Sequence, residues 1–192
     1  MRALKFTIII AAAAIMISSC GKKDSLPANY FSFKGKNYAI TEALVDKNII
    51  DTAQGLHIDQ YGFLSVSGKD SAMFLIAVVD VQANSLTGNF SSYDDASTSV
   101  RRILSMGFYG GSLIMLPSKE LYFTGLGGSI DIALTGSDYS LKFNSISAGV
   151  YSLGGSQYTA IDKIEGRYNG PLQTAVITAS KGKTTGMIGI AK

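Results

Sequence analysis

Ile130-Asp131-Ile132-Ala133-Leu134-Thr135, then Gly136-Ser137-Asp138, then Tyr139-Ser140-Leu141-Lys142-Phe143-Asn144: these fifteen residues decide the fold. Ile130, Ile132 and Leu134 share one parity, with Asp131, Ala133 and Thr135 on the other. After the Gly-Ser-Asp turn, Tyr139, Leu141 and Phe143 resume the apolar side, opposite Ser140, Lys142 and Asn144. Successive side chains of a strand point to opposite faces, so a period of two is strand and not helix. The stretch predicts a hairpin with one buried face and one wet face.

The same grammar of strand and turn runs outward in both directions. Upstream, Tyr30 to Phe33 passes through Lys34-Gly35-Lys36-Asn37 into Tyr38 to Val45, a first hairpin. Ile49-Ile50, Leu56 to Ile58 and Phe63 to Val66 read as short strands, with Gly62 as a break and Ser67 to Asp70 as a turn. Met73 to Val81 is apolar on both parities; its length and β-branching favour a central strand over a buried helix. Gly88-Asn89 and Ser91 to Ser99 form the longest loop, followed by strand signals at Val100 to Phe108, Ser112 to Leu116 and Leu121 to Thr124. Downstream, Val150 to Leu153, Tyr158 to Ile164 and Arg167-Tyr168 are interrupted at Gly154-Gly155 and closed at Gly170-Pro171. Thr174 to Thr178 and Gly186 to Ala191 flank Lys181-Gly182-Lys183 as a last hairpin. Such spacing predicts one all-β domain over residues 29–192, an antiparallel β-sandwich or closed β-barrel of about 8–12 strands. Exposed edges need blunting, a task for Pro171 and the lysines near the end.

The first residues are of a different kind. Arg2 and Lys5 precede an uncharged apolar run from Phe6 to Ile17, which closes on Ser18-Ser19-Cys20 and the polar Gly21-Lys22-Lys23-Asp24. A basic start, a short apolar middle and small residues at the end are the layout of an export signal. The run is well short of the roughly twenty residues a spanning helix needs. Ile17-Ser18-Ser19-Cys20 resembles the lipobox of bacterial lipoproteins: an aliphatic residue, two small residues and a cysteine. The resemblance implies removal of residues 1–19, a diacylglyceryl group on Cys20 and acylation of the new amino terminus. Each buried CH₂ contributes about 0.8 kcal/mol, so two or more chains anchor firmly where one does not. Residues 20–28 would then be the lipidated cysteine and a polar tether, reaching a few tens of ångströms at about 3.3–3.6 Å per residue. Together with the glycine-punctuated strands, the chain is similar to small β-rich envelope lipoproteins of Bacteroidota type, many of them grouped in families of unknown function. That similarity implies the cell envelope, with the lipid in the outer membrane, and leaves the membrane face open.

Without its first nineteen residues the chain keeps 173, enough for one domain with a real core. Basic residues fall to 15 against 14 acidic ones, and no basic stripe remains to grip phosphates, which argues against nucleic acid as a partner. Cys20 is the only cysteine, so no disulfide can form within the chain.

Candidate chemistry is sparse. His57 is the only histidine and Asp59 shares its strand face, but a neighbour directly in line is poorly placed to orient an imidazole, so His57 reads as a solvent-facing or locally hydrogen-bonded histidine. Asp94 and Asp95, in the polar loop with Ser91, Ser92 and Ser97, could hold calcium, but the spacing is not that of an EF-hand and a solvated loop is the better reading. Gly182-Lys183-Thr184 resembles the tail of a P-loop, but Ile177 stands where its first glycine belongs. Gly125-Leu126-Gly127 lacks the helix a dinucleotide fingerprint requires, and Gly154-Gly155-Ser156-Gln157-Tyr158 lacks the closing glycine of a nucleophile elbow. Asp51-Thr52-Ala53 and Asp70-Ser71-Ala72 resemble the O-glycosylation acceptor of Bacteroidota-type envelope proteins. Tyr61, Tyr93, Tyr109, Tyr151, Tyr158 and Tyr168 fall near turns or strand ends, where a ring can stack on sugar or peptide or simply pack in the sheet. No cofactor and no catalytic residue is singled out. The expectation is a lipid-anchored binding or scaffolding domain with an envelope protein or glycan as partner; the rival is an envelope hydrolase whose carboxylates converge only in the fold.

Overall fold

The computed structural model describes residues 26–51, 56–80, 86–91, 101–104, 112–152 and 157–174. Cys20, Asp94, Asp95 and the expected last hairpin lie outside these residues. The described residues form thirteen strands: β1 Tyr30–Phe33, β2 Lys36–Ala39, β3 Glu42–Asp51, β4 Leu56–Ser65, β5 Ala72–Asp80, β6 Gly88–Ser91, β7 Arg102–Leu104, β8 Leu113–Met115, β9 Leu121–Thr124, β10 Ser129–Thr135, β11 Asp138–Tyr151, β12 Tyr158–Pro171 and β13 Gln173–Thr174. Among the described residues the only helical element is a single 3₁₀ turn, Gly68–Asp70.

All thirteen strands join one sheet, in the order β13-β3-β4-β5-β7-β6-β10-β11-β12-β1-β2, with β8 and β9 off this path. The expected all-β class holds, but two expectations need correction. The strand count exceeds twelve, and the sheet is mixed and not wholly antiparallel, because β13 runs parallel to β3 and β6 parallel to β7. In both parallel pairs a very short strand meets a partner to which no tight turn joins it, β13 lying far from β3 in the chain and ten residues (92–101) separating Ser91 from Arg102, so no local turn dictates direction.

The sheet forks. The second half of β5 pairs with β7 at Ala77 to Val79, whereas its first half pairs with β8 at Met73 to Leu75. The two branches meet again on β11, one through β6 and β10, the other through β9. At the fork the ladder would leave an amide unpaired, and the fully buried Ser112 fills the gap, its Oγ accepting from the Ala77 N–H at 2.9 Å. On the far side the Gly125–Gly128 turn does the same work: Gly125 N–H donates to Ser147 O and Ser147 N–H to Gly127 O. A buried, unsatisfied peptide group would cost about 1–3 kcal/mol, so these bonds let a branched sheet exist in the interior.

The core lies between strands of one curled sheet. Phe31 of β1, Phe63 of β4, Phe74 of β5 and Phe143 of β11 are all essentially inaccessible. Their rings touch, with centroids 5.0 Å apart for Phe63–Phe143, 5.2 Å for Phe74–Phe143, 5.9 Å for Phe31–Phe74 and 6.0 Å for Phe63–Phe74. The hairpin that opened the reading is as its pattern dictates: Ile130, Ile132, Tyr139, Leu141 and Phe143 are buried, and only Leu134, beside the turn, is exposed. Met73 to Val79 is buried on both faces toward its end, because Ala77 and Val79 join Ile58 and Leu104 in a second small cluster.

Three expected breaks are not breaks. Gly62 lies inside β4, where the missing side chain lets Leu75 lie across the strand. Gly88 and Asn89 belong to β6. Residues 138–151 and 158–171 are single fourteen-residue strands. Pro171 ends β12 opposite Asp138 of β11, four residues past the last pairing of that strand with β1 at Arg167.

Candidate functional site

The wet face of the β10–β11 hairpin continues across the neighbouring strands. Asn89, Asp131, Lys142, Arg167 and Tyr30 are successive cross-strand partners on β6, β10, β11, β12 and β1. Beside this row β11 bulges between Phe143 and Ile146, with Ser145 in the left-handed region at φ 49°. A bulge bends its strand and increases local twist. The result is an open depression of about 460 Å³ on the outer face, lined among others by Tyr30, Lys142, Asn144, Glu165, Arg167 and Asn169.

Glu165 of the depression and Asp131 in the row beside it accept from neutral donors. Asp131 accepts from Asn89 Nδ2 at 2.6 Å and from Asn144 Nδ2 at 2.8 Å. These two bonds, Asn89 first, hold its carboxyl below the usual carboxylate range. Glu165 Oε1 accepts from Ser145 Oγ at 2.7 Å. The cations are differently placed. Arg167 Nε donates to Ala28 O at 3.1 Å, and its guanidinium lies over the Tyr30 ring, 5.9 Å from the centroid. Lys142 stands directly opposite Arg167. Among the described residues neither makes a salt bridge. Asn29 locks the rim, donating through Nδ2 to Asn169 O and accepting from Asn169 N–H.

The residues singled out from sequence do not converge here. His57 and Asp59 lie on β4, and Asp59 accepts from Tyr61 Oη at 3.1 Å. Tyr61 and Tyr168 are core residues, Tyr168 donating to Pro171 O, while Tyr93 and Tyr109 lie outside the described residues. Tyr151 and Tyr158 are half-buried and form a row with Phe123, Phe123 meeting Tyr151 edge-on at 5.9 Å between centroids and Tyr151 meeting Tyr158 at a tilt at 5.2 Å. Ser71 closes the 3₁₀ turn, its Oγ donating to Gly68 O at 2.9 Å; residues 52–55, the P-loop-like tail and Gly154 to Ser156 are outside the described residues. Gly125-Leu126-Gly127 is a turn, as read. Among the described residues no group of three or more His, Cys, Asp or Glu could hold a metal ion.

A second polar cluster is a clasp. Lys34 Nζ lies 2.8 Å from Tyr122 Oη and 3.2 Å from Glu120 Oε2, and Tyr122 donates to Glu120 at 2.7 Å. The Tyr122 and Lys34 bonds lower the Glu120 carboxyl, and Tyr122 and Glu120 raise the Lys34 ammonium. Three residues satisfying one another tie the β1–β2 turn to the β8–β9 turn.

Asp59 gives a pH-dependent prediction. Burial raises its carboxyl above the usual 3.8, against the Tyr61 hydrogen bond and the charge of Lys47. Between the unfolded and folded values the native state keeps a proton that the unfolded chain has released. Stability therefore falls as pH rises through that window, and the penalty is fully present above it. Asp59→Asn keeps an acceptor for Tyr61 and removes the charge. The variant is expected to melt at a higher temperature than the parent at pH 7, with the gain shrinking toward pH 4. An equal gain at both pH values would mean that ionisation is not its source.

Searches against family models, curated proteins and solved structures returned no match. The outer groove is thus described by its own geometry alone. Tyr30, Arg167 and Glu165 went unnoticed in the sequence. The available signal was the wet parity of the decisive hairpin, where Asp131, Lys142 and Asn144 already stood together.

Proposed function

We propose that this chain is a lipid-anchored envelope protein, held by acyl chains on Cys20, whose β domain binds a polar partner, a glycan or an envelope protein, in the outer groove. The anchor half is supported by the Ile17-Ser18-Ser19-Cys20 sequence after a short apolar run. The binding half is carried by one observation: a depression of about 460 Å³ lined by amides, hydroxyls, two cations and a tyrosine, on rigid strands and not on loops. That Glu165 of the groove already accepts from Ser145, and the neighbouring Asp131 from Asn89 and Asn144, favours binding over the hydrolase reading. Of the two architectures expected from sequence, the single continuous sheet supports a barrel-like curl over two stacked sheets.

Cells fed an alkyne-bearing palmitate should yield labelled protein in the membrane fraction, and Cys20→Ser should abolish the label. Unlabelled wild-type protein overturns the anchor. The purified full chain in detergent should bind a member of a panel of envelope glycans and peptides, with Tyr30→Ala weakening it. If no panel member responds to Tyr30→Ala, the groove is not the binding site.

A further inference from the structure

Resting on the binding role proposed above, we infer that the groove is built for an oxyanion on a polyhydroxylated ligand: the carboxylate, sulfate or phosphate of an acidic glycan, held between Lys142 and Arg167.

The starting point is a local conflict. Lys142 and Arg167 are directly opposed on β11 and β12, and like charges facing each other across a sheet are destabilising. Carboxylates stand close by that would relieve this. Asp131 is the cross-strand neighbour of Lys142, and Glu165 lies two residues from Arg167 on the same strand face. Yet Asp131 receives Asn89 and Asn144, and Glu165 receives Ser145. Among the described residues no salt bridge joins either acid to either cation. Lys142 feels the charge of Asp131 only through space, and both cationic side chains are exposed above the sheet.

Arg167 is also fixed in position. Its Nε is committed to Ala28 O and one face of its plane to the Tyr30 ring. Its terminal nitrogens have no hydrogen-bond partner among the described residues. A guanidinium held this way presents a planar fork suited to two oxygens of one anion, with the lysine ammonium as a second point of charge. Around the pair, Asn144, Asn169 and Ser140 offer amide and hydroxyl groups of the kind that hydrogen-bond sugar hydroxyls. An uncharged ligand would leave the opposed cations as they are; an anion neutralises both.

The test uses full-length protein in detergent, titrated by calorimetry with four probes. These are a galacturonic acid hexamer, the same hexamer as its methyl ester, a sulfated neutral oligosaccharide and inorganic phosphate. The acid hexamer or the sulfated oligosaccharide is expected to bind, and whichever does names the anion; added salt should weaken it. The methyl ester should lose roughly tenfold or more, as should Lys142→Gln and Arg167→Gln. Arg167→Lys, which keeps charge without the fork, should fall between parent and Arg167→Gln. Equal binding of ester and acid, weakened by Tyr30→Ala but not by Lys142→Gln, overturns the oxyanion site and leaves the groove a neutral-ligand site. Binding of inorganic phosphate as tight as that of the glycans overturns the polyhydroxylated ligand. Failure of every probe to bind overturns the inference, while peptides in the wider panel still test the groove itself.

Discussion

Phe74→Ala is expected to destabilise the domain by about 3–5 kcal/mol, the range for removing a fully buried phenylalanine. Phe74 is completely inaccessible and is the one ring in contact with Phe31, Phe63 and Phe143 at once. Those partners sit on β1, β4 and β11, so the ring is where distant parts of the curled sheet meet. Three aromatic walls on separate strands cannot all move inward, so the cavity stays open and the loss belongs at the upper end. Chemical denaturation would measure it. A loss under about 1 kcal/mol would mean that the strands close over the gap and that this ring is not the hub.

The second large effect is expected from Gly166→Ala. Gly166 sits in β12 at φ 151°, a conformation that L side chains rarely adopt. An added Cβ would lie 2.2 Å from Tyr30 O and 2.8 Å from the Phe31 Cα, both backbone atoms of β1 that no rotamer change can move. The expected loss is on the order of 3 kcal/mol, combining backbone strain and overpacking. Gly35→Ala supplies the comparison. Gly35 has a positive φ of 70° but nothing within 4 Å of an added Cβ, so it should lose only about 1–2 kcal/mol. If the two variants melt together, the close approach of β12 to β1 is not what Gly166 provides. Because Gly166 also lines the groove, its variant should bind ligand less well even where it remains folded.

How much of this was legible depends on separation along the chain. The β10–β11 hairpin could be read residue by residue, because Thr135 pairs with Asp138 and the turn fixes everything that follows. The alternation even marked Lys142 and Asn144 as outward. Its partner row could not be read: Tyr30 meets Arg167 only because β1 inserts beside β12, far away in sequence. Glycine misled in one consistent way. Gly62, Gly88 and Gly170 look like punctuation, yet each lies within a strand. Ser112 shows the opposite failure. A serine among small and apolar residues carries no mark of its task, which exists only because β5 changes partners beside it. Tyr61 and Tyr168 were noticed as candidate stacking rings and proved to be core, whereas Tyr30 belongs to the groove.

The doubled route between β5 and β11 bears on how the domain comes apart. With both branches intact, the strands form a circuit: tearing one set of hydrogen bonds leaves the other still bridging the same pair. An ordinary open sheet can unravel one rung at a time from a free margin, but a circuit yields only when both arms part. Resistance to a pulling force would then come less from any single ladder than from this redundancy, shared between a three-strand arm and a two-strand arm.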